Sequence, residues 1–170
     1  MSLSISVRTE LIKTKRSSAF WLCLIGSGFI PGIHFLMYTI KPKIFVPKLK
    51  VDPWESHFMH CWEEFSALLL PVFVILVCSM IVQIEYKNNT WKQVFASPQS
   101  LSNIFFSKFS TILLMLLFLF LMFNVFMFGS AILANLIHKE YSFLSHSLKF
   151  ELLLKMNLKT FVSLLGIISI

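Results

Sequence analysis

Charge is what this sequence has least of. Of its 170 residues only 14% are Asp, Glu, Lys or Arg, while 56% are hydrophobic, and mean hydropathy is +0.77. A soluble domain carries about 25% charged and roughly 45–50% apolar residues, so a soluble globular fold is excluded. Chemistry is equally sparse. No P-loop, no glycine-rich phosphate cradle, no His/Glu helix motif and no nucleophile–base–acid set occurs, so the chain is not expected to be an enzyme by itself, and no cofactor is implied. No Asp, Glu, Lys or Arg sits deep in an apolar run, which argues against a proton- or ion-coupled carrier. Cysteine is scarce as well. Cys23 and Cys78 fall inside apolar runs and read as small packing residues, and Cys61 has no evident disulfide partner. Internal repeats and low-complexity segments are absent.

What remains is long uncharged runs. Ser17 to Ile40, Phe65 to Ile84 and Phe109 to Ile137 contain no ionisable Asp, Glu, Lys or Arg. Each reaches the roughly 20 residues that a helix rising about 1.5 Å per residue needs to cross a hydrocarbon core about 30 Å thick. The 19 phenylalanines suit helices that face acyl chains. The first run is too long for a signal-peptide core and no small-x-small cleavage site follows it, so it should stay as an anchor. A fourth apolar run, 160–170, is still rising where the chain stops. The expected fold is all-α: a polytopic transmembrane bundle of three full spans and the start of a fourth, with short interfacial helices and a C-terminally incomplete end. The formal charge of +7 does not point to nucleic acid, because the cations sit in short segments between spans, where they meet lipid headgroups.

The segments between spans are patterned. Residues 1–16 place Leu3, Val7, Leu11 and Ile12 at helical spacing among Arg8, Lys13, Lys15 and Arg16, which predicts an interfacial helix with its apolar side in lipid. Span 1 (17–40) carries Gly26, Gly28, Pro31 and Gly32, hence close helix approach and a kink. His34 reads as a histidine hydrogen-bonded within the bundle. The 41–64 loop contains a helix start, Asp52 as N-cap and Pro53 at N1, leading to span 2 (65–84) with Trp54 and Trp62 displayed at the interface. In the 85–108 loop, Trp91, Val94 and Phe95 fall at i, i+3 and i+4, one apolar face, with Lys92 and Gln93 opposite, before a Ser97-Pro98 corner. After span 3 (109–137), residues 138–159 form an interfacial segment in which Glu151, Lys155 and Lys159 make one stripe, feeding the partial span at 160–170.

Two sets of polar residues invite a chemical reading. His57, His60 and Cys61, with Glu64 nearby, stand at i, i+3 and i+4, a spacing that zinc or copper tolerates. No second ligand cluster is near in sequence, and interfacial histidine is common without metal, so no metal site is assigned. Asn124 and Asn135 are amides in lipid and should each bond a neighbouring helix.

Glu85-Tyr-Lys-Asn-Asn-Thr90-Trp91-Lys92, then Ala96-Ser97-Pro98-Gln-Ser100 and Ser107-Lys108, resembles the first cytoplasmic loop of ABC type-2 exporter permeases. Glu10-Leu11-Ile12-Lys13-Thr-Lys15-Arg16 is similar to their N-terminal interfacial helix. Within that family the resemblance is to small permeases associated with export of, or immunity to, peptide antibiotics. It implies a permease subunit that forms part of a translocation path, pairs with a second permease subunit, and docks a cytoplasmic ATP-binding cassette subunit that hydrolyses ATP. The implied contact is a coupling helix of Asn89, Thr90, Trp91, Lys92, Val94 and Phe95, turned by Pro98. Members typically have six spans, and this chain has at most four. Two alternatives stay open: a stand-alone multi-pass immunity or scaffold protein without an ATPase, and an intramembrane metalloenzyme using His57, His60 and Cys61. Lysine and arginine counts, seven on one side and eight on the other, do not orient the spans. The four cations before span 1 favour a cytoplasmic N-terminus in the cell membrane, with loops 41–64 and 138–159 outside and 85–108 inside.

Overall fold

The computed structural model describes residues 3–15, 17–49, 51–87 and 100–168, and among these it is wholly helical. In chain order the elements are α1 (Leu3–Lys15), α2 (Ser18–Ile40), α3 (Pro42–Leu49), α4 (Pro53–Glu64), a π-helical turn (Phe65–Leu69), α5 (Leu70–Lys87), α6 (Leu101–Ile137), 3-10 turns at Lys139–Tyr141 and Phe143–Ser145, and α7 (Phe150–Ile168). Among the described residues, three stretches are long and apolar enough to cross a bilayer: Ser18–Ile40, Pro53–Ile84 and Ser102–Ile137. The fold is therefore a polytopic transmembrane bundle with short interfacial helices.

The helices extend beyond the uncharged runs. α4, the π turn and α5 follow one another without a break, because Asp52 caps the start, accepting a bond from the Glu55 amide at 3.2 Å, with Pro53 at the first helical position. The π turn sits just ahead of Pro71. A proline in a helix clashes with the carbonyl four residues back and lacks its own N–H, and a widened turn accommodates both. α6 has 37 residues, about 55 Å at 1.5 Å each, so its ends pass the hydrocarbon core. α7 runs through residues 159 and 160 without interruption.

The chain divides into two compact units. In the first, Met1–Gly26 with Pro71–Leu121, α1 packs by Ser6, Glu10 and Thr14, all buried, and leaves Ile5 and Ile12 exposed. Glu10 meets Lys13 at 2.8 Å and Lys108 at 3.8 Å. The core here includes Val77, Ile81, Leu116 and Leu119, and Phe20 stacks on Phe118 with ring centroids 5.1 Å apart. The second unit, Ser27–Leu70 with Met122–Ile170, is built on aromatic rings. Phe65 stacks on Phe123 at 3.9 Å and 15° between planes, and Tyr38, Phe58, Tyr141 and Phe143 are fully enclosed. Ser142, at φ 56°, takes the left-handed conformation that lets Tyr141 and Phe143 on either side of it both turn inward.

Trp54 and Trp62 are not displayed outward as expected. They are 3% and 5% exposed, and each indole N–H has an internal acceptor: Trp54 donates to the Phe143 carbonyl at 2.8 Å and Trp62 to the Thr160 hydroxyl at 2.9 Å. A buried indole needs an acceptor, and later segments of the chain supply both.

Gly26 is where small size is required. A Cβ built there would lie 1.9 Å from the tip of the Phe73 ring. Gly26→Val is expected to lower stability by about 1–3 kcal/mol through overpacking. The Gly26→Val/Phe73→Ala double variant should recover part of that loss in a thermal-unfolding series in detergent micelles.

Candidate functional site

The second unit contains a polar seam inside an apolar shell. Tyr38 lies four residues after His34 on α2, and Cys61 four after His57 on α4, so each pair shares one helix face. His57 is fully buried. Its Nε2 lies 3.1 Å from the Met127 carbonyl oxygen, which can only accept, so Nε2 carries the proton and Nδ1 accepts from the Tyr38 hydroxyl at 3.0 Å. Ser130 donates to the same Met127 carbonyl at 2.8 Å, and Tyr141 donates to the Tyr38 carbonyl at 2.8 Å. His34 Nε2 is 3.1 Å from a Glu64 carboxylate oxygen. One donor atom from each of His34, His57 and Cys61 lies within 4.8 Å of the others.

The trio His57, His60 and Cys61, weighed from spacing and not assigned as a metal site, is not the set that the structure brings together. His60 is exposed, while His34, from a different helix, takes its place beside the other two. Its signal in the sequence was weak: a single histidine in an uncharged run, with Tyr38 one turn on. Asn124 bonds a neighbouring helix as expected, whereas Asn135 bonds the turn that follows its own helix. Asn124 and Asn157 of α7 exchange amide hydrogen bonds at 2.9 and 3.1 Å, and Asn135 accepts from the Phe143 amide at 3.1 Å. In hydrocarbon such bonds replace those that water would otherwise make.

The expected partner-contact residues Asn89, Thr90, Trp91, Lys92, Val94, Phe95 and Pro98 lie outside the described residues. The segment that follows begins with Ser100, whose hydroxyl accepts from the Asn103 amide at 3.3 Å at the start of α6.

The chain matches the family described as ABC-2 family transporter protein over residues 6–170, and it belongs to that family. No curated protein and no solved structure matches it.

At the edge of the second unit, Lys149 bridges Asp52 and Glu55, tying the segment ahead of α7 to the start of α4. The Lys149 hydrogen bond holds the Asp52 carboxyl below its ordinary value. In turn Asp52, then Glu55, pushes Lys149 up to about 12. A lowered carboxylate contributes stability at neutral pH that is lost as pH falls through its folded value. A raised ammonium contributes below its unfolded value and loses that contribution as pH climbs through about 12. The bridge should thus be level between roughly pH 5 and 10. A double-mutant cycle of Asp52→Asn with Lys149→Met should give a favourable coupling at pH 7 that disappears below about pH 3 and shrinks in high salt.

Proposed function

We propose that this chain is the membrane-spanning permease subunit of an ATP-driven exporter of the ABC-2 type, working with a cytoplasmic ATP-binding cassette subunit and a second permease subunit. The observation that carries this reading is the family match across residues 6–170, which takes in the whole 85–108 loop where Thr90-Trp91-Lys92 and the Ser97-Pro98 corner stand. The part of that loop between α5 and α6, residues 88–100, is the coupling element of this reading: by their i, i+3, i+4 spacing Trp91, Val94 and Phe95 would make one apolar face suited to a groove on the ATPase. Closure of the paired ATPases on ATP displaces the loop, and the two attached helices carry the displacement into the bilayer. Hydrolysis belongs to the partner, since the sequence has no phosphate-binding loop of its own. Small permeases of peptide-antibiotic export or immunity are the branch the loop resembles.

The proposed orientation places the N-terminus and the 85–108 loop in the cytoplasm. Asn88→Cys should react with a membrane-impermeant maleimide in inverted vesicles and stay unlabelled in intact cells. Labelling from outside the cell would reverse the assignment.

Trp91 supplies the largest apolar area of the coupling face, and aromatic anchors dominate contacts of this kind. Trp91→Ala is expected to weaken ATPase binding by roughly 2 kcal/mol, about thirtyfold in affinity. Lys92→Ala should change it by no more than about 1 kcal/mol, as for a rim charge. Co-purification of the ATPase and stimulated ATP hydrolysis are the readouts. Unchanged values with Trp91→Ala in a normally inserted protein would remove the coupling assignment and leave a stand-alone membrane protein.

A further inference from the structure

One polar atom in the seam of the second unit is left without a partner. His34 is 4% exposed, and its Nδ1 is buried with no hydrogen bond. The other nitrogen, Nε2, faces the Glu64 carboxylate and so carries a proton, which leaves Nδ1 as the lone-pair nitrogen of the neutral ring. His57 likewise gives its Nε2 proton to the Met127 carbonyl, but its Nδ1 already accepts from the Tyr38 hydroxyl at 3.0 Å, and Cys61 Sγ stands 3.6 Å from Nδ1 and 3.8 Å from Nε2. Metal-binding histidines are oriented in just this manner, with the far N–H given to a carboxylate or a backbone carbonyl.

We propose that His34, His57 and Cys61 hold a single Cu(I) ion. Metal–nitrogen bonds of about 2.0–2.1 Å and metal–sulfur bonds of about 2.3 Å place neighbouring donors roughly 3.3–3.9 Å apart. The His57–Cys61 pair already has that spacing. One ring nitrogen of each histidine and the Cys61 sulfur lie within 4.8 Å of one another, so closure needs the donors to approach by no more than about 1–1.5 Å, together with a turn of the His57 ring. A thiolate donor selects soft or borderline ions, chiefly Cu(I) and Zn(II). Charge separates the two. The Cys61 thiol gives up its proton to solvent on binding, and one thiolate neutralises Cu(I), whereas Zn(II) would leave one positive charge on the donor set, met only by the Glu64 carboxylate behind His34. Zinc also asks for a fourth ligand, and copper(I) is content with three. The Tyr38 hydroxyl gives up its bond to His57 Nδ1 on binding. Glu64, whose side chain is half exposed, connects the cluster to the surface and supplies a carboxylate on the entry side.

The site does not depend on the transporter reading, and its test uses the full chain in detergent micelles under anaerobic, reducing conditions. Titration of Cu(I) against a chromophoric competitor should show one equivalent bound. Cys61→Ser and His34→Ala should each weaken uptake by about a hundredfold or more, while His60→Ala should leave it unchanged. X-ray absorption of the copper-loaded wild-type chain should show two nitrogen scatterers and one sulfur at about 2.2–2.3 Å, a readout that needs no variant to fold. Absence of stoichiometric Cu(I) uptake, a first shell without sulfur, uptake indifferent to Cys61→Ser, or one-to-one retention of Zn(II) with no Cu(I) would each overturn the assignment.

Discussion

The absence of water is the constraint on which this structure depends. Within hydrocarbon every amide, hydroxyl and imidazole must find its partner inside the protein. Helices meet that demand for the backbone, and their polar side chains then have to meet each other. His57 with the Met127 carbonyl and Tyr38, Asn124 with Asn157, and the Trp54 indole with Phe143 are all answers to the same demand. These directional bonds fix which faces of the second unit meet, a task that apolar contact alone performs poorly where the surrounding lipid is equally apolar. Large side chains elsewhere can remain outward, as Ile25 and Ile75 do, because lipid receives them without cost.

Much of this was legible in the residues themselves. Long uncharged runs leave few alternatives to spanning helices, and Asp52-Pro53 announced a helix start that the structure contains. The ends of the spanning helices were less legible. A composition rule stops at the first charge, whereas the helix from Pro53 passes Glu55 and Glu63, which reach outward, and Glu64, which is half exposed and bonds His34, while Phe58, Cys61 and Trp62 turn in.

The polar seam shows the other limit. Residues on one helix declare their common face by spacing, so His57 and Cys61 were visible as a pair. His34 joins them from α2, and no spacing within the sequence predicts which turn of one helix lies beside which turn of another. The burial of Trp54 and Trp62 was not legible for a related reason. Tryptophan near a span end favours the headgroup layer, but an internal acceptor for the indole N–H removes that preference, and the acceptors belong to residues Phe143 and Thr160, far along the chain.

The first helix is inside out by the standards of a soluble protein. Its gripping side is a row of polar residues, Ser6, Glu10 and Thr14, and isoleucines point away from the protein. Attachment is therefore shared between two different media: polar packing and the Glu10–Lys108 pair on one flank, acyl chains on the other. Detergent extraction substitutes only the second of these, and with a looser material than a bilayer. The segment whose conformation owes most to the native membrane is thus the first thirteen-residue helix, well before any of the helices that cross it.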